Sequence, residues 1–288
     1  MTDNRVFGFD FSKYDGMINW SMVKQHNPKP FYAGMRATIS WAYVDPFFKT
    51  NRLGARQVDI PCLPYSVLYP GEDYVTQANN FLAANDAVGL GSLTWDRSHP
   101  VLDVELDHGQ TQQMITDKIM SWSEYVQVRV GKRPVVYSRA SWIDQFTLTG
   151  AWRNSFQWWL ARYNLDQSTE CQLYPYLPVG VGTYLIHQTA DKYAVPVGMS
   201  GRLTVDVDRW NGTVSDIQIF FGETPAMDIE SRVSELELDM VEVEADISEL
   251  TFRVNNMGTS ITTLENSVQD LEKRMNDAEI TLDAIKAL

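Results

Sequence analysis

Residues 100–105 read Pro-Val-Leu-Asp-Val-Glu, an apolar run that closes on two acidic residues, Asp103 and Glu105. The run has the length of one buried strand, and because side chains alternate along a strand, both carboxylates point to the same face. A charge at the end of a buried strand costs free energy unless it faces a cleft. Asp10 closes a second such run, VFGFD, and Asp206 lies in a third, LTVDVD. We therefore expect these four carboxylates to converge in an acidic pocket where the strands end.

Apolar runs bounded by turn residues predict eight strands before residue 222, the number that closes a parallel barrel. The strands are residues 6–10, 35–40, 64–69, 101–105, 134–138, 156–163, 183–189 and 203–208. Helix-length segments lie in the linkers among the first five strands, at residues 21–25, 45–58, 73–87 and 111–130. Later linkers are short. The pattern predicts an α/β fold, a modified TIM-like (β/α)5(β)3 barrel with helices around its first half and mostly strands in its second.

Composition and charge restrict the classes of function. With 288 residues, of which 44% are hydrophobic, the chain can bury one large domain and carry an appendage. No run approaches the roughly 20 apolar residues of a membrane span, and the first residues lack the features of a secretory signal. The net charge is -13 without a Lys/Arg cluster, which argues against nucleic-acid binding. The histidines and cysteines lack ligand spacing, so we expect no metal and no cofactor.

Seven segments occur in an order that is typical of one enzyme family. They are GFDFSKYDG (8–16), MRAT (35–38), YVDPFFKTNRLGAR (43–56), PVLDVE (100–105), RPVVYS (133–138), WWLARY (158–163) and VDVDRWNG (205–212). In this order they resemble the family 25 glycoside hydrolases, the muramidases found among phage endolysins and in bacteria and fungi. The resemblance covers residues 5–222. It implies a barrel of eight strands with five helices, and cleavage of the β-1,4 bond that follows N-acetylmuramic acid in peptidoglycan.

The same resemblance assigns the site residues. The family's active-site carboxylates fall on Asp10, Asp103, Glu105 and Asp206. Its substrate-binding positions fall on Tyr65, Tyr137, Trp159 and Gln188. Asp208, next to Asp206, is interpreted as structural.

Three positions depart from the family pattern. Ser66 stands where a His is usual, His187 where a Trp usually precedes the Gln of the seventh strand, and Asp15 where Gln is common. These departures leave the predicted chemistry in place and leave substrate fit and subsite preference open.

The resemblance, together with the roles that carboxylates have in other glycosidases, suggests a mechanism. Glu105 is predicted to be the general acid, with a pKa raised by the negative charges around it. Asp103 would orient the 2-acetamido group of the substrate as that group attacks the anomeric carbon, and Asp10 and Asp206 would hold Asp103 and the reacting sugar. Direct nucleophilic attack by Asp206 or Asp103 is the alternative, and both mechanisms stay open at this point.

The tail, residues 229–288, has apolar residues at alternating steps of four and three, which predicts a long helical coiled coil. The a positions are Val233, Met240, Ile247, Val254, Ile261, Val268, Met275 and Leu282. The d positions are Ile229, Leu236, Val243, Leu250, Met257, Leu264, Leu271, Ala278 and Ile285. We predict a catalytic barrel (1–222), a hinge (223–228) and an oligomerisation stalk (229–288), with a homotrimer favoured over a dimer.

Three classes of function remain open. The first is an active muramidase on an oligomeric stalk, phage-encoded as an endolysin or as a virion-attached lysin with other virion proteins as partners. The second is a non-catalytic module that binds cell-wall glycans, and the third is a structural fibre protein of a virion. Because no signal peptide is predicted, we expect synthesis in the host cytoplasm and action on the bacterial cell wall or attachment to the virion.

Overall fold

The computed structural model describes residues 5–195, 198–222 and 229–286. The chain divides into two compact units, Met1–Pro225 and Ala226–Leu288. The predicted hinge, residues 223–228, lies outside the described residues. Among the residues described, no helix combines the length and the apolar character needed to cross a membrane.

The first unit contains a closed barrel of eight strands, which confirms the predicted barrel. Its strands are β1 (Val6–Phe11), β2 (Pro30–Ile39), β4 (Cys62–Val67), β5 (Val101–Asp103), β6 (Val135–Ser138), β7 (Trp158–Ala161), β8 (Ile186–Ala194) and β9 (Thr204–Trp210). The ring closes because β1 pairs with both β2 and β9. All neighbouring barrel strands are parallel except β9, which is antiparallel to β1 and to β8. A two-residue strand, β3 (Tyr43–Val44), which was not predicted, pairs with the end of β2 outside the ring.

Five of the first unit's helices alternate with strands, in agreement with the predicted (β/α)5(β)3 order. They are α1 (Trp20–Gln25), α2 (Phe48–Gln57), α3 (Tyr74–Asp86), α4 (Gln112–Val130) and α5 (Ala140–Phe146). The first four lie within one or a few residues of the helices predicted from the pattern. Helix α5 and the later α6 (Val214–Phe220), each with 7 residues, were not predicted from the apolar pattern.

The barrel strands are apolar on both faces, so the fold has two cores. One core lies between the strands and the surrounding helices and includes Phe7, Phe9, Leu102, Val136, Leu160 and Val207. The other fills the barrel interior and includes Val6, Leu63, Val101, Val135, Trp159, Ile186 and Trp210. Asp10, Asp103 and Asp206 lie at even spacing from interior residues of their own strands, so strand alternation turns their side chains to the interior.

Helix α6 closes the end of the barrel opposite these carboxylates. Ile217, in the middle of this helix, and Phe221, just after its end, belong to the interior core. The rings of Trp210 and Phe220 meet edge to face with centroids 4.9 Å apart, and Trp210 also contacts Tyr32 at 5.7 Å. Aromatic packing of this kind excludes water, so the barrel is open to solvent at one end only.

The second unit is one continuous helix, α7 (Ile229–Lys286), 58 residues long. The prediction of a long helix is therefore confirmed. Twelve of its predicted a and d residues have described side chains, and all twelve are exposed. Ala278 is one of them, and each of the eleven larger ones is between 52% and 65% exposed. These eleven are Met240, Val243, Ile247, Leu250, Val254, Met257, Ile261, Leu264, Val268, Leu271 and Met275. In the single chain, this apolar stripe is not covered by the described residues.

Gly34 in β2 offers a test of interior packing. A Cβ at this position would lie 2.5 Å from Cη2 of Trp159 and 3.0 Å from Oδ1 of Asp10. We expect Gly34→Ala to lower the free energy of unfolding by about 1–3 kcal/mol, because an overpacked interior forces neighbours to move. The measurement is thermal unfolding followed by circular dichroism. Gly182→Ala is the matched control, since its Cβ would meet nothing within 4 Å; equal unfolding temperatures for the two variants would contradict this packing.

Candidate active site

The open end of the barrel forms a cavity of about 610 Å³. It lies where the parallel strands end and where the antiparallel β9 begins. Its lining includes all eight residues predicted for the site: Asp10, Tyr65, Asp103, Glu105, Tyr137, Trp159, Gln188 and Asp206. The structure therefore brings the complete predicted set together, and the role of each side chain remains a prediction.

Asp103 and Glu105 reach the cavity at the end of β5. The strand ends at Asp103, so Glu105 lies two residues beyond it and not inside it as predicted. The backbone N–H of Val104 donates to the carbonyl oxygen of Tyr137 at 2.9 Å, which holds the extended chain past the end of the strand. Asp103 is 8% exposed. Burial, followed by the charges of Glu105 and Asp10, raises the pKa of Asp103 well above its usual range.

Glu105 has the properties of a proton donor. Its side chain is exposed at the mouth of the cavity, so it can exchange a proton with a bound substrate. Partial removal from water raises the pKa of Glu105, and the Arg139 guanidinium opposes this effect. The sequence-based explanation, that surrounding negative charges raise this pKa, is therefore wrong in its cause, because desolvation is the largest contribution.

Asp10 and Gln188 form a hydrogen-bonded pair inside the cavity. Nε2 of Gln188 donates to Oδ2 of Asp10 at 3.0 Å. Oε1 of Gln188 accepts from the Tyr137 hydroxyl at 2.6 Å and also from the Tyr163 hydroxyl. Because two phenols face the amide oxygen, only the amide nitrogen is free to face Asp10. Burial, followed by the charge of Asp206, raises the pKa of Asp10 well above its usual range.

Asp206 reaches the cavity from β9, the strand that runs opposite to the other barrel strands. The interpretation that its apolar run ends there is wrong, because Asp206 is near the start of β9 (Thr204–Trp210). Since β9 is antiparallel to β1, its beginning lies at the open end, and Asp206 is paired with Asp10. Burial raises the pKa of Asp206 to about 7, and Arg202, whose Nη2 donates to Oδ1 of Asp206 at 3.0 Å, opposes that rise.

Asp208 lies deeper in the barrel than Asp206. Nε1 of Trp159 donates to Oδ1 of Asp208 at 2.8 Å, and both side chains are buried. Burial, followed by the charge of Asp10, raises the pKa of Asp208 well above its usual range. The indole of Trp159 therefore has a structural contact inside the barrel as well as an edge in the cavity lining.

The departures from the family pattern differ in their distance from the cavity. His187 is fully buried, with Nδ1 3.1 Å from Nη1 of Arg5, and it points away from the barrel interior because it alternates with Gln188. Ser66 accepts a hydrogen bond from the Thr38 hydroxyl at 2.8 Å and is also buried. Neither residue is part of the described cavity lining. Asp15 differs, because it binds Arg202, which does line the cavity.

Sequence reasoning missed the cations of the cavity. Arg36, Arg139 and Arg202 line it, together with the phenol of Tyr163. Nε of Arg36 donates to Oδ2 of Asp45 at 3.0 Å. A search for clusters of Lys and Arg in the sequence cannot detect these arginines, because they lie on three distant segments. Arg36 lies within β2, Arg139 directly after β6 and Arg202 just before β9, and these positions beside barrel strands are the signal that points to them.

A sequence model of the glycosyl hydrolases family 25 matches residues 9–196. The chain belongs to this family. It is therefore a glycoside hydrolase by family. The match includes Asp10, Asp103 and Glu105 and ends before Asp206, whose place in the family 25 site rests on the register of β9.

Two relatives are similar to this chain over about three quarters of its length. The chain is 27% identical over 227 residues to the uncharacterized protein YegX of Escherichia coli O6:H1, covering 76% of each chain. It is 27% identical over 222 residues to Lysozyme M1 of Streptomyces globisporus, covering 73% of this chain and 69% of the lysozyme.

Solved structures share the fold. The bacterial lysozyme of Streptomyces coelicolor superposes with a TM-score of 0.64 at 22% identity, covering 77% of this chain and all of the lysozyme chain. The catalytic domain of endolysin ply40 from bacteriophage P40 of Listeria monocytogenes has a TM-score of 0.60 at 18% identity and covers 78% of this chain. At these identities the likeness concerns the fold alone.

Asp208 generates a prediction about stability. A carboxyl whose pKa is higher in the folded than in the unfolded protein destabilises the fold as pH rises from about 4 through the folded value. Asp208→Asn should remove this contribution and keep an oxygen that accepts from Trp159. We expect the variant to unfold at a higher temperature than wild type at pH 8, by about 2–4 °C for each kcal/mol relieved, with a smaller difference at pH 5. A lower unfolding temperature at pH 8 would contradict the raised pKa.

Proposed function

We propose that this protein is a muramidase that hydrolyses the β-1,4 bond between N-acetylmuramic acid and N-acetylglucosamine in peptidoglycan. The observation that carries the proposal is the convergence of Glu105, Asp103, Asp10 and Asp206 on one cavity. Membership of the family supports the reaction class. One oxygen each of Asp10 and Asp103 has no hydrogen-bond partner within the described part of the chain, which leaves these atoms for polar groups of a glycan.

In the proposed mechanism, Glu105 donates its proton to the glycosidic oxygen as the bond to the anomeric carbon breaks. The carbonyl oxygen of the substrate's 2-acetamido group attacks that carbon, and Asp103 accepts a hydrogen bond from the acetamido N–H. Water then opens the cyclic intermediate, with the Glu105 carboxylate accepting a proton from it. The raised pKa of Glu105 supports its role as the acid. Direct attack by Asp206 or Asp103 remains the alternative.

The general acid is tested by Glu105→Gln, which removes the transferable proton with little change in shape. We expect the rate of peptidoglycan hydrolysis to fall by about 100-fold or more, with the unfolding temperature unchanged. Glu124→Gln is the matched control, because Glu124 is exposed on α4, outside the cavity lining. The measurement is the release of reducing ends from purified peptidoglycan.

Two outcomes of this assay would contradict parts of the proposal. If Glu105→Gln kept more than about a tenth of the wild-type rate, the proton donor would lie elsewhere. Wild-type activity in Asp103→Asn would refute the substrate-assisted mechanism. A wild-type protein that binds peptidoglycan without releasing reducing ends would favour the alternative, a non-catalytic glycan-binding or fibre protein.

We further propose that α7 assembles as a parallel homotrimeric coiled coil that presents three catalytic barrels. The exposed stripe of a and d residues supports this, because such a stripe is stable in water only when other helices cover it. Two segments match a pattern, Arg-apolar-x-x-apolar-Glu, that resembles trimer-specifying sequences. They are Arg232, Val233, Leu236 and Glu237, and Arg274, Met275, Ala278 and Glu279. No described a position in the stripe carries Asn, which would favour a dimer.

This assembly suits a phage-encoded lysin that reaches the wall either from the host cytoplasm or from the virion. An oligomeric stalk is unusual for a lytic muramidase, and it would anchor several catalytic heads to one partner structure. The genes beside the coding sequence separate the two settings. A neighbouring holin gene would support an endolysin, and neighbouring tail genes would support a virion-attached lysin.

The stalk is tested by light scattering on the intact chain, where we expect about three times the 32.9 kDa of one chain. Leu250→Glu should dissociate the trimer, since Leu250 occupies a d position. Phe252→Glu is the matched control, because Phe252 is similarly exposed (66% against 57%) and lies outside the a and d positions. A wild-type mass of two chains would refute the trimer, and a mass of one chain would refute the coiled coil.

A further inference from the structure

The segment before β9 is fastened to the segment that follows β1. The backbone N–H of Arg202 donates to the carbonyl of Tyr14 at 2.8 Å, and that of Gly201 donates to the carbonyl of Asp15 at 2.9 Å. A Cβ on Gly201 would lie 2.1 Å from the Tyr14 carbonyl oxygen, so only glycine permits this approach. On the other side of Gly201, the hydroxyl of Ser200 accepts from the N–H of Met17 at 2.8 Å. The backbone of Arg202 is therefore held in a defined position at the rim of the cavity.

The Arg202 side chain joins two carboxylates. Nε donates to Oδ1 of Asp15 at 2.6 Å, and Nη2 donates to Oδ1 of Asp206 at 3.0 Å. Asp15 is fully buried, and its Oδ2 accepts from the backbone N–H of Ser12 at 2.7 Å. The guanidinium is planar and rigid, so fixing one edge on Asp15 fixes the direction of the other edge. Arg202 thus aims a charged donor at Asp206 from an anchor outside the cavity lining.

The other cavity carboxylates have different partners. Asp10 accepts from the neutral amide of Gln188, and Asp103 lies beside Glu105. Within the described part of the chain, Asp206 is the one among these four that forms a salt bridge. A carboxylate held by a cation stays charged more readily than one held by an amide, so the four groups do not share their protons equally.

We propose that Arg202, anchored by Asp15, is a positioning residue that fixes the orientation of Asp206 and favours its anionic form, while Glu105 carries the transferable proton. This inference rests on the proposed function. An anionic Asp206 stabilises the positive charge that develops at the anomeric carbon in the substrate-assisted mechanism, and direct attack by Asp206 also requires its anionic form. Arg202 does not touch the reacting atoms in this account, because its donors are directed to the two carboxylates.

The charges around Asp206 determine the sign of the expected effect. The titratable and charged groups that interact with it are Asp10, Asp15, Tyr65, Tyr163, Asp191, Arg202 and Asp208. Arg202 is the cation among them and lowers the pKa of Asp206, whereas Asp15 raises it. Loss of Arg202 should therefore make Asp206 harder to ionise, and loss of the Asp15 charge should make it easier to ionise.

The test measures kcat and KM on soluble peptidoglycan fragments between pH 4 and pH 9. We expect Arg202→Gln to move the acid-side midpoint of the kcat profile up by about one pH unit, and to lower kcat at pH 5 by about tenfold. KM should stay within about twofold of wild type, because Arg202 makes no contact that binds the substrate equally in the ground state and the transition state.

Asp15→Asn should lower kcat, because Arg202 loses its anchor, while the acid-side midpoint of the kcat profile moves down. Arg202→Lys should keep the midpoint near wild type and lose part of kcat.

The matched control is Arg56→Gln. Arg56 pairs with Asp96 at 3.4 Å and its side chain is 34% exposed, against 31% for Arg202, but it does not line the cavity. The inference is overturned if Arg202→Gln keeps the wild-type profile. It is also overturned if the Arg202 and Asp15 variants lose kcat equally at every pH, since that result indicates a purely structural role. If Glu105→Gln is active as well, the proposed function has failed instead.

Discussion

The antiparallel pairing of β9 with β1 is the constraint on which the site depends. It sets Asp206 opposite Asp10, Asp208 opposite Gly8 and Trp210 opposite Val6. A slip of one residue would turn every side chain of β9 to the other face and place these carboxylates among the apolar side chains of the outer core. With the observed register, β9 begins with Asp206 at the open, polar end of the barrel and ends with Trp210 in the apolar core at the closed end. The same strand therefore contributes a side chain to the cavity and another to the interior packing.

Burying several carboxylates in one barrel costs free energy of folding, and the structure offsets part of this cost with one hydrogen-bond donor for each of three carboxylates. Gln188 donates to Asp10, Trp159 to Asp208 and Arg202 to Asp206. Two donors are held by further contacts, Gln188 by two tyrosine hydroxyls and Arg202 by Asp15. These partners give each of the three carboxylates a hydrogen bond, but only Arg202 brings a compensating charge. The pKa values of the carboxylates therefore stay raised, and one oxygen of Asp10 has no hydrogen-bond partner among the described residues.

The sequence was sufficient for the barrel and for the four carboxylates because both depend on local patterns, whereas Tyr65, Tyr137, Trp159 and Gln188 were assigned by the family resemblance. Short apolar runs identify strands, and alternation places Asp103 and Glu105 on one face. Helices α3 and α4 nearly match the segments predicted at 73–87 and 111–130. In the structure, Asp73 and Thr111 cap their first turns, and Gly131, with φ of 75°, ends α4. The direction of β9 was not predictable in this way, since a strand reads alike in both directions. Nor were Arg202 and Tyr163, whose importance depends on long-range contacts.

Asp206 is the carboxylate that sequence reasoning located least well, and it is also the one whose charge state depends on a local partner. Asp10, Asp103 and Glu105 lie within the segment matched by the family, residues 9–196. Asp206 and its cation Arg202 arrive together on a segment beyond that match, docked on the β1 end through backbone hydrogen bonds that require glycine at position 201. Because the partner of Asp206 is local to this segment, a change there can alter its charge state without moving the three other carboxylates, and Asp10 would respond through its electrostatic interaction with Asp206 and Arg202. The proton affinity of Asp206 can therefore change without a change in the geometry that the barrel strands impose.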